Sequence, residues 1–438
     1  MNGPSFYLVL KAAMTQDSKK IQKSTRTLVL YPHTTDQALR GIDPQLRLDE
    51  ACSLAHAIHL DVVHAEYINL KQMRPNTLIG MGNVDAFKGL ITQEEITLAI
   101  MDTTLSPVQQ RNLEKAWKVK VIDRTGLILE IFGERAQTKE GSLQVELAAL
   151  TYQKSRLVRS WTHLERQRGA LGFIGGPGET QLEMDRRIIS DRILRIEKDL
   201  EKVKDRRGLQ RRARKRVPYP VVALVGYTNA GKSTLFNYLT KADVFAEDLL
   251  FATLDPTMRL VRLPSGQNII LSDTVGFISD LPTLLVAAFR ATLEEVQEAD
   301  VVLHIRDASN PNHPQQAKDV FEVLHDLSVD QTLDTVVDVF NKIDCLDADH
   351  LADLPPKALK ISALKGDGVD GLLRHIDQLL QMGHKTYQLT LDLSQGKELA
   401  WLHAHGEVLQ QRPQHQHLSV KVKMKPQDWD RFCSLFRG

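Results

Sequence analysis

The 438-residue sequence lacks the features that mark secreted and membrane proteins. It contains three cysteines, Cys52, Cys345 and Cys433, and they are far apart. Their odd number and wide spacing predict neither a disulfide framework nor a metal-binding cluster, and they fit a reducing compartment. No segment approaches the ~20 apolar residues of a membrane span, and the apolar run at residues 6–10 is too short for a signal peptide. We therefore expect a soluble protein of the cytoplasm, in which Cys345 is half-buried rather than a redox switch.

The sequence also has almost no net charge, with 56 Lys and Arg against 55 Asp and Glu. The overall balance therefore says nothing about partners. Positive charge is instead concentrated in residues 186–216, which contain 14 Lys or Arg and 5 Asp or Glu. Clustered Arg and Lys bind nucleic-acid phosphates strongly, although such a run is more often a solvated helix face. The candidate RNA-binding residues in this run are Arg186, Arg187, Arg211, Arg212, Arg214 and Arg216.

One heptad-like pattern precedes this basic run, and a second lies within it. The first has positions Leu143, Leu147, Leu150, Lys154, Leu157, Trp161 and Leu164, and the second has Ile189, Ile193, Ile196, Leu200 and Val203. Five glycines between residues 169 and 178 argue against one continuous helix. Residues 141–217 are therefore predicted to form an antiparallel helical hairpin with a glycine-rich loop and a basic second helix.

The two ends of the chain have different patterns. In residues 1–140, strand-like runs at 28–31, 62–66, 97–101 and 120–122 alternate with helix-like stretches near 48–60, 83–94 and 107–117. This alternation predicts a small α/β domain with a mainly parallel sheet. In residues 385–438, strand-like runs at 387–393 and 418–424 flank a helix-like segment at 396–411, which predicts a small α+β domain.

The most informative stretch is Gly226-Tyr227-Thr228-Asn229-Ala230-Gly231-Lys232-Ser233, which reads G-x-x-x-x-G-K-S. It follows an apolar strand-like run at 220–225 and precedes a helix-like segment at 234–239, the context that a phosphate-binding loop needs. In such a loop, backbone N–H groups converge on the phosphates at a helix N-terminus. We expect Lys232 to reach the β- and γ-phosphates and Ser233 to bind Mg²⁺.

Three further motifs, each after an apolar strand, predict a GTP-binding domain over residues 218–384. In the D-x-x-G turn Asp273-Thr274-Val275-Gly276, Asp273 is expected to hold Mg²⁺ through water, and the Gly276 N–H is expected to meet the γ-phosphate. In the N-K-x-D turn Asn341-Lys342-Ile343-Asp344, Asp344 accepts two hydrogen bonds that guanine donates and adenine cannot. The backbone of Ser362-Ala363-Leu364 is expected to contact the guanine carbonyl.

Residues from about 75 to 380 resemble the HflX family, within the translation-factor-related GTPases. The segments that carry the resemblance are 121–129 (VIDRTGLIL), 161–166 (WTHLER), 178–183 (GETQLE), 185–187 (DRR), 225–231 (VGYTNAG), 250–257 (LFATLDPT) and 273–278 (DTVGFI). The resemblance implies an α/β multidomain GTPase whose P-loop domain has a mostly parallel sheet. It also implies binding to the large (50S) ribosomal subunit and, with GTP, splitting of stalled or stress-arrested ribosomes.

The resemblance also selects a switch I threonine. It assigns Thr253 to the Mg²⁺ shell and to sensing of the γ-phosphate; the alternatives are Thr257 in the same loop, or a Thr253 that only caps a turn. The catalytic candidates are thus Asn229, Lys232, Thr253 and Gly276, and the metal candidates are Ser233 and Thr253. The predicted nucleotide-binding residues are Gly226, Tyr227, Thr228, Asn229, Ala230, Gly231, Lys232, Ser233, Thr234, Phe251, Ala252, Thr253, Leu254, Asp255, Asp273, Thr274, Val275, Gly276, Asn341, Lys342, Ile343, Asp344, Ser362, Ala363 and Leu364.

The water-orienting residue of many GTPases is missing. Many of them place a glutamine directly after D-x-x-G, but Phe277 stands here and cannot orient a water molecule. Intrinsic hydrolysis is therefore expected to be slow and to need help from the ribosome or a bound ion. Asn229 is similar to the asparagine of GTPases that coordinate K⁺, which suggests K⁺ as a second cation; the alternative is hydrogen bonding within the loop.

The sequence departs from the family at two places. Residues 172–179 lack the usual arginine, and Phe173 offers stacking on a base instead. Residues 78–82 are followed by Asn83 rather than lysine, which weakens a secondary ATP site in the N-terminal domain; Gly80 and Gly82 also fit a simple strand–helix turn. Two other functions remain open: a GTP-dependent regulatory switch acting on a protein partner, and a nucleotide-dependent RNA-remodelling factor.

Overall fold

The structure is a computed structural model that describes most of the chain. It describes residues 25–39, 42–167, 177–214, 219–241, 250–251, 257–279, 296–297, 299–326, 336–356, 358–381, 385–414, 417–424 and 426–437. Within these ranges, the helical residues 158–167, 177–182 and 204–214 are described by their backbone alone. Among the helices in this part of the chain, none is long and apolar enough to cross a membrane.

The N-terminal part contains a four-stranded parallel sheet in the order β2-β1-β3-β4. Its strands are β1 (Arg26–Thr34), β2 (Asp61–Leu70), β3 (Leu98–Met101) and β4 (Lys120–Asp123). Its helices are α1 (Thr35–Leu39), α2 (Pro44–His56), α3 (Met81–Gln93), α4 (Pro107–Trp117) and α5 (Arg124–Arg135). The predicted α/β domain and parallel sheet are confirmed.

Helix α5 was missing from the sequence-based prediction, although its start signal is present. Asp123, the last residue of β4, accepts a hydrogen bond from the Gly126 N–H at 2.9 Å and so caps the helix. The strand therefore passes directly into the helix without a loop. This direct passage places Asp123 and Arg124 side by side at the carboxyl edge of the sheet.

The predicted helical hairpin is formed by α6 (Lys139–Gln167) and α7 (Pro177–Arg214). The helices are antiparallel: Glu146 pairs with Arg192 at 2.8 Å, while Lys139, earlier on α6, acts on Asp199, later on α7. The glycine-rich residues 168–176, including Phe173, lie outside the described residues.

The apolar seam is as predicted on α7 and shifted on α6. Ile193 and Ile196 are buried on α7, whereas on α6 the buried side chains are Val145 and Ala148, outside the predicted heptad positions. The reason is that α6 packs against α5 as well as α7, so its most buried face turns toward the N-terminal core.

The third part contains a six-stranded sheet in the order β10-β9-β8-β5-β7-β6. The strands are β5 (Val221–Gly226), β6 (Thr257–Arg262), β7 (Asn268–Asp273), β8 (Val301–Asp307), β9 (Val336–Asn341) and β10 (Leu359–Lys360). The helices are α8 (Lys232–Thr240), α9 (His313–Asp326), α10 (Ala348–Asp353) and α11 (Val369–Gln381). Only the edge strand β6 is antiparallel to its neighbour, so the carboxyl ends of the other strands meet at one edge, where ligands bind in such sheets.

The C-terminal part is a three-stranded antiparallel sheet in the order β11-β13-β12. It contains β11 (Lys385–Asp392), α12 (Gly396–His405), β12 (Glu407–Gln414), β13 (His417–Met424) and α13 (Pro426–Phe436). The predicted helix over 396–411 is wrong beyond His405, because Gly406 lies against Val422 and Met424 and the chain returns along β13. Helix α13 had not been predicted.

One apolar cluster crosses from the N-terminal sheet to the six-stranded sheet, and within it the rings of Phe132 and Phe251 meet edge to face at 4.7 Å.

The three cysteines are free, as expected, but Cys345 is exposed rather than half-buried, because it lies in a short 3-10 turn at the surface.

Candidate functional site

The predicted phosphate-binding loop follows β5 and opens α8. Gly226 has φ +149° and lies directly against the carbonyl of Ile305, so a side chain has no room there. Gly231, at φ +88°, lies directly against the Asn341 amide, and Asn229 adopts φ +60°, a conformation that asparagine tolerates. The loop therefore needs its glycines for close packing as well as for backbone conformation. The hydroxyl-bearing Thr234 follows within the first turn of α8.

Lys232, the first residue of α8, is buried inside this loop. Its ammonium group donates to the carbonyls of Gly226 at 3.1 Å and Tyr227 at 2.7 Å. Burial lowers the pKa of Lys232 from 10.5 to about 8, and the nearby Asp273 carboxylate opposes this effect. A cation held in this way is ready to exchange backbone carbonyls for phosphate oxygens.

The next side chain brings the predicted metal ligands together. The Ser233 hydroxyl donates to Asp273 at 2.8 Å, although the two residues are forty positions apart. A hydroxyl and a carboxylate side by side offer the hard oxygen ligands that Mg²⁺ accepts, and Mg²⁺ usually completes its shell with waters and substrate phosphates. The residues present therefore fit Mg²⁺.

The D-x-x-G turn lies against the phosphate-binding loop. The Thr228 N–H donates to the Phe277 carbonyl at 2.7 Å, and the Phe277 N–H donates to the Gly226 carbonyl at 3.1 Å. A side chain on Gly276 would lie 2.8 Å from the Thr228 methyl group and 3.1 Å from the Lys232 ammonium. A side chain at position 276 therefore has no room beside the lysine.

The other side chains of this turn point away from the predicted phosphate position. The Thr274 hydroxyl donates to the Leu224 carbonyl at 2.6 Å. Val275 and Phe277 are buried in the apolar cluster that crosses to the N-terminal sheet. Phe277 therefore packs in the core and offers no polar group to a water molecule.

The N-K-x-D turn connects two loops. The buried Asn341 side chain donates to the Ala230 carbonyl at 2.9 Å and accepts from the Ala363 N–H at 2.9 Å. Lys342 pairs with Asp307 at 2.8 Å. A hydrogen bond from Ser362 is the main cause that holds the pKa of Asp344 below its usual value, so the carboxylate is ionised. Ile343 is half-buried and Leu364 is exposed.

Some predicted site residues fall outside this description. Ala252, Thr253, Leu254, Asp255 and Arg216 lie outside the described residues, and only the backbone is described for Arg211, Arg212 and Arg214. Phe251 is described and packs on Phe132 of α5. Arg186 and Arg187 are exposed on α7.

A polar network beside the site was not predicted from the sequence. The side chain of Tyr227 points away from the phosphate loop, and its hydroxyl contacts Glu50 of α2 and Ser279 after the D-x-x-G turn. Ser279 also accepts from the Arg124 guanidinium at 2.9 Å. The only signals in the sequence were the motif positions of Tyr227 and Arg124, and neither indicates a contact between them.

The chain is similar in sequence to known GTPases. Family models match three successive parts of the chain: "GTP-binding GTPase N-terminal" at 45–133, "GTP-binding GTPase Middle Region" at 135–214 and "50S ribosome-binding GTPase" at 221–342. A GTPase HflX of Magnetococcus marinus is 49% identical over 400 residues, which cover 91% of each chain. A GTPase HflX of Escherichia coli is 39% identical over 402 residues, which cover 88% of this chain and 91% of the relative. A solved GTP-binding protein from Sulfolobus solfataricus in complex with GDP aligns with a TM-score of 0.42 and 24% identity, over 82% of this chain and 99% of its own.

Proposed function

This chain belongs to the HflX family of ribosome-binding GTPases, and from that premise we propose that it uses GTP to split stalled or stress-arrested ribosomes. In this proposal the GTP-bound form binds the 50S subunit and displaces its partner subunit, and hydrolysis to GDP releases the factor. We also propose that it acts in the cytoplasm, partly bound to ribosomes.

The observation that carries the proposal is the pairing of a GTP site with a long basic helix. Helix α7 has 38 residues, and the run that begins at Arg186 has 14 Lys or Arg against 5 Asp or Glu. The side chains of Arg186 and Arg187, in the N-terminal third of this helix, are exposed. A cationic helix favours contact with RNA phosphates over contact with an apolar protein surface.

The site supports the chemistry of GTP hydrolysis. A water oxygen attacks the γ-phosphorus, the bond from that phosphorus to the bridging oxygen breaks, and its electron pair stays with GDP. Lys232 and the Gly276 N–H would stabilise the charge on the γ-phosphate, and Ser233 with Asp273 would hold Mg²⁺. Asp344 would select guanine, because guanine donates two hydrogen bonds to the ionised carboxylate and adenine cannot.

The proposed slow step is ordering of the attacking water. The Phe277 side chain is buried and has no hydrogen-bonding group, so we propose that the ribosome supplies the missing order and thereby stimulates turnover. We propose in addition that Asn229 helps to hold K⁺ beside the phosphates, where a cation replaces the charge of an arginine finger. Equal turnover in K⁺ and Na⁺ buffers would remove the K⁺ proposal.

The test combines GTP turnover with light scattering of 70S ribosomes. We expect purified 50S subunits to raise turnover by about a hundredfold or more, and the protein with a non-hydrolysable GTP analogue to lower 70S scattering. Lys232→Ala should abolish both effects, while Lys241→Ala, an exposed lysine just after the same helix, should leave them intact. Binding to 50S without loss of scattering would refute splitting.

Two other outcomes would select the competing functions. Tight GTP binding without stimulation by 50S would indicate a switch that acts on a protein partner. Binding to RNA that ignores the nucleotide state would indicate an RNA-remodelling factor.

The role of the basic run is tested by salt dependence. Replacing Arg211, Arg212, Arg214 and Arg216 with glutamine should flatten the slope of log affinity against log salt by up to about 2.8–3.6, because each of the four possible phosphate contacts contributes about 0.7–0.9. An unchanged slope would show that the run is only a solvated helix face.

A further inference from the structure

We propose that Asp123 and Arg124, adjacent residues at the start of α5, are positioning residues that transmit contact at the helical hairpin to switch II, defined here as residues 273–279. Asp123 binds the hairpin, and Arg124 binds switch II. The inference rests on the proposed function in one respect, namely that the hairpin meets the ribosome. It gives a physical role to the segment 121–129, which nucleotide chemistry alone leaves unexplained.

Asp123 is the anchor of the hairpin. The carboxylate is almost completely buried, with 1% of the residue exposed. One oxygen accepts from the Tyr152 hydroxyl at 2.5 Å, and the other accepts from the Arg156 guanidinium at 2.5 Å. Burial and then the Asp123 charge raise the pKa of Tyr152, so its phenol keeps the proton that it donates. Both side chains lie on successive turns of α6, so the position of α6 is tied to the first turn of α5.

Arg124 is the anchor of switch II. Its guanidinium is buried between two carboxylates, with 2.6 Å to Asp102 and a second ion pair to Glu50. Burial alone would lower the pKa of Arg124, but Asp102 and Glu50 raise it well above its usual value, so the side chain is charged. The same nitrogen that pairs with Glu50 donates to the Ser279 carbonyl at 2.9 Å. Ser279 stands three residues after Gly276, so this bond fixes the end of switch II.

The same network reaches the phosphate-binding loop. Glu50 accepts from the Tyr227 hydroxyl, and the oxygen of that hydroxyl accepts from the Ser279 N–H at 2.8 Å. The Ser279 hydroxyl in turn donates to Asp319 of α9 at 2.8 Å. Tyr227 is the second residue of the phosphate-binding loop, and its carbonyl holds the Lys232 ammonium at 2.7 Å. A shift of Ser279 therefore changes the surroundings of both switch II and the phosphate-binding loop.

The two anchors cannot move independently. Asp123 and Arg124 are consecutive, and Asp123 caps the helix that Arg124 begins, so both belong to one rigid helical turn. Displacement of α6 must either break the buried bonds to Asp123 or carry the turn and Arg124 with it. Packed, charged interiors of this kind have discrete arrangements rather than continuous ones. Contact at the far end of the hairpin is thereby converted into a change at Ser279.

The test removes single hydroxyl or charge contacts at the two ends of the network. Tyr152→Phe removes the hydroxyl that binds Asp123, and Glu50→Gln weakens the connection to Tyr227 and Arg124. Ser155→Ala is the matched control for the first change, because it also removes one hydroxyl from the same turn of α6. Among the described residues, that hydroxyl bonds only to the Tyr152 carbonyl within the helix, at 2.7 Å. The measured quantity is the ratio of GTP turnover with and without 50S subunits, together with the affinity for 50S and for GDP.

We expect Tyr152→Phe to keep basal turnover, GDP affinity and 50S affinity while lowering the stimulation ratio by about five- to tenfold. Ser155→Ala should match the wild type. The double variant Tyr152→Phe/Glu50→Gln should be no worse than the more severe single variant, since both act on one path. Multiplicative losses, or a Tyr152→Phe variant that behaves like Ser155→Ala, would overturn the proposal.

A second measurement separates this inference from the function on which it rests. Amide hydrogen exchange in residues 149–157 of the free protein is compared between GDP and a non-hydrolysable GTP analogue. Because coupling is reciprocal, we expect the nucleotide to change protection there in the wild type and in Ser155→Ala, but not in Tyr152→Phe. If 50S subunits fail to stimulate the wild type, the proposed function fails while exchange still tests the connection. An absence of nucleotide-dependent exchange in the wild type would overturn the connection itself.

Discussion

Nucleotide binding should become strongly pH-dependent above pH 8 because of Lys232. In the nucleotide-free protein, burial lowers the pKa of this lysine to about 8 from 10.5. Bound phosphates bring negative charge to the ammonium and should restore its pKa to its ordinary value or above. Binding above pH 8 must therefore take up a proton, whereas at pH 7 the lysine is already charged.

The magnitude follows from the two pKa values. Affinity for GDP should be nearly constant from about pH 7 to 7.5, fall about tenfold between pH 8.5 and 9.5, and level off only near the pKa of the bound state. The full difference between 10.5 and about 8 corresponds to roughly 3 kcal/mol. The nucleotide-free protein should show the opposite trend in stability. Its unfolded chain holds more protons between pH 8 and 10.5, so the free energy of unfolding should rise with pH in that window.

The assay is calorimetric titration with GDP in buffers of different ionisation enthalpy, which reports proton uptake directly. We expect uptake of about half a proton at pH 8 and about 0.9 at pH 9. Lys232→Arg is the control, because arginine stays charged throughout and its profile isolates the titration of guanine itself. No proton uptake at pH 8.5, or equal slopes for wild type and Lys232→Arg, would refute a lowered pKa of Lys232.

Three further predictions concern single contacts. Asn341→Ala leaves the Ala230 carbonyl and the Ala363 N–H without their partner and should weaken GDP and GTP binding by about 2–4 kcal/mol, measured with a fluorescent nucleotide. Unchanged affinity would mean that these two loops keep their positions without the Asn341 side chain. Asp344→Asn should shift the preference from GTP toward xanthosine triphosphate, measured by competition, and retained GTP selectivity would show that the base contact is misassigned. Phe132→Ala removes the aromatic contact with Phe251 from the interdomain core and should lower the free energy of unfolding by about 3–5 kcal/mol in denaturant titrations; a loss below about 1 kcal/mol would contradict that packing.

Several features could be predicted because their chemistry depends on contiguous residues. The phosphate-binding loop, the D-x-x-G turn and the N-K-x-D turn are each a few residues long and end an apolar strand, so spacing alone indicates their fold. Glycines between residues 169 and 178 likewise indicated two helices rather than one. The predicted helix at 396–411 failed because local pattern does not register the close approach of Gly406 to β13.

Sequence alone thus determined the multidomain α/β class, the succession of strand, loop and helix at the site, and the identity of the nucleotide. Each of these depends on local periodicity or on a short motif. Tertiary structure alone decided which face of α6 is buried, that the Tyr227 side chain leaves the nucleotide site, and that Glu50 and Arg124 reach the loops of the GTPase domain. The hydroxyl of Tyr227 and the carboxylate of Glu50 are 177 positions apart in the chain. Such a contact leaves no periodicity in the sequence, because it exists only once two separately folded sheets have packed against each other.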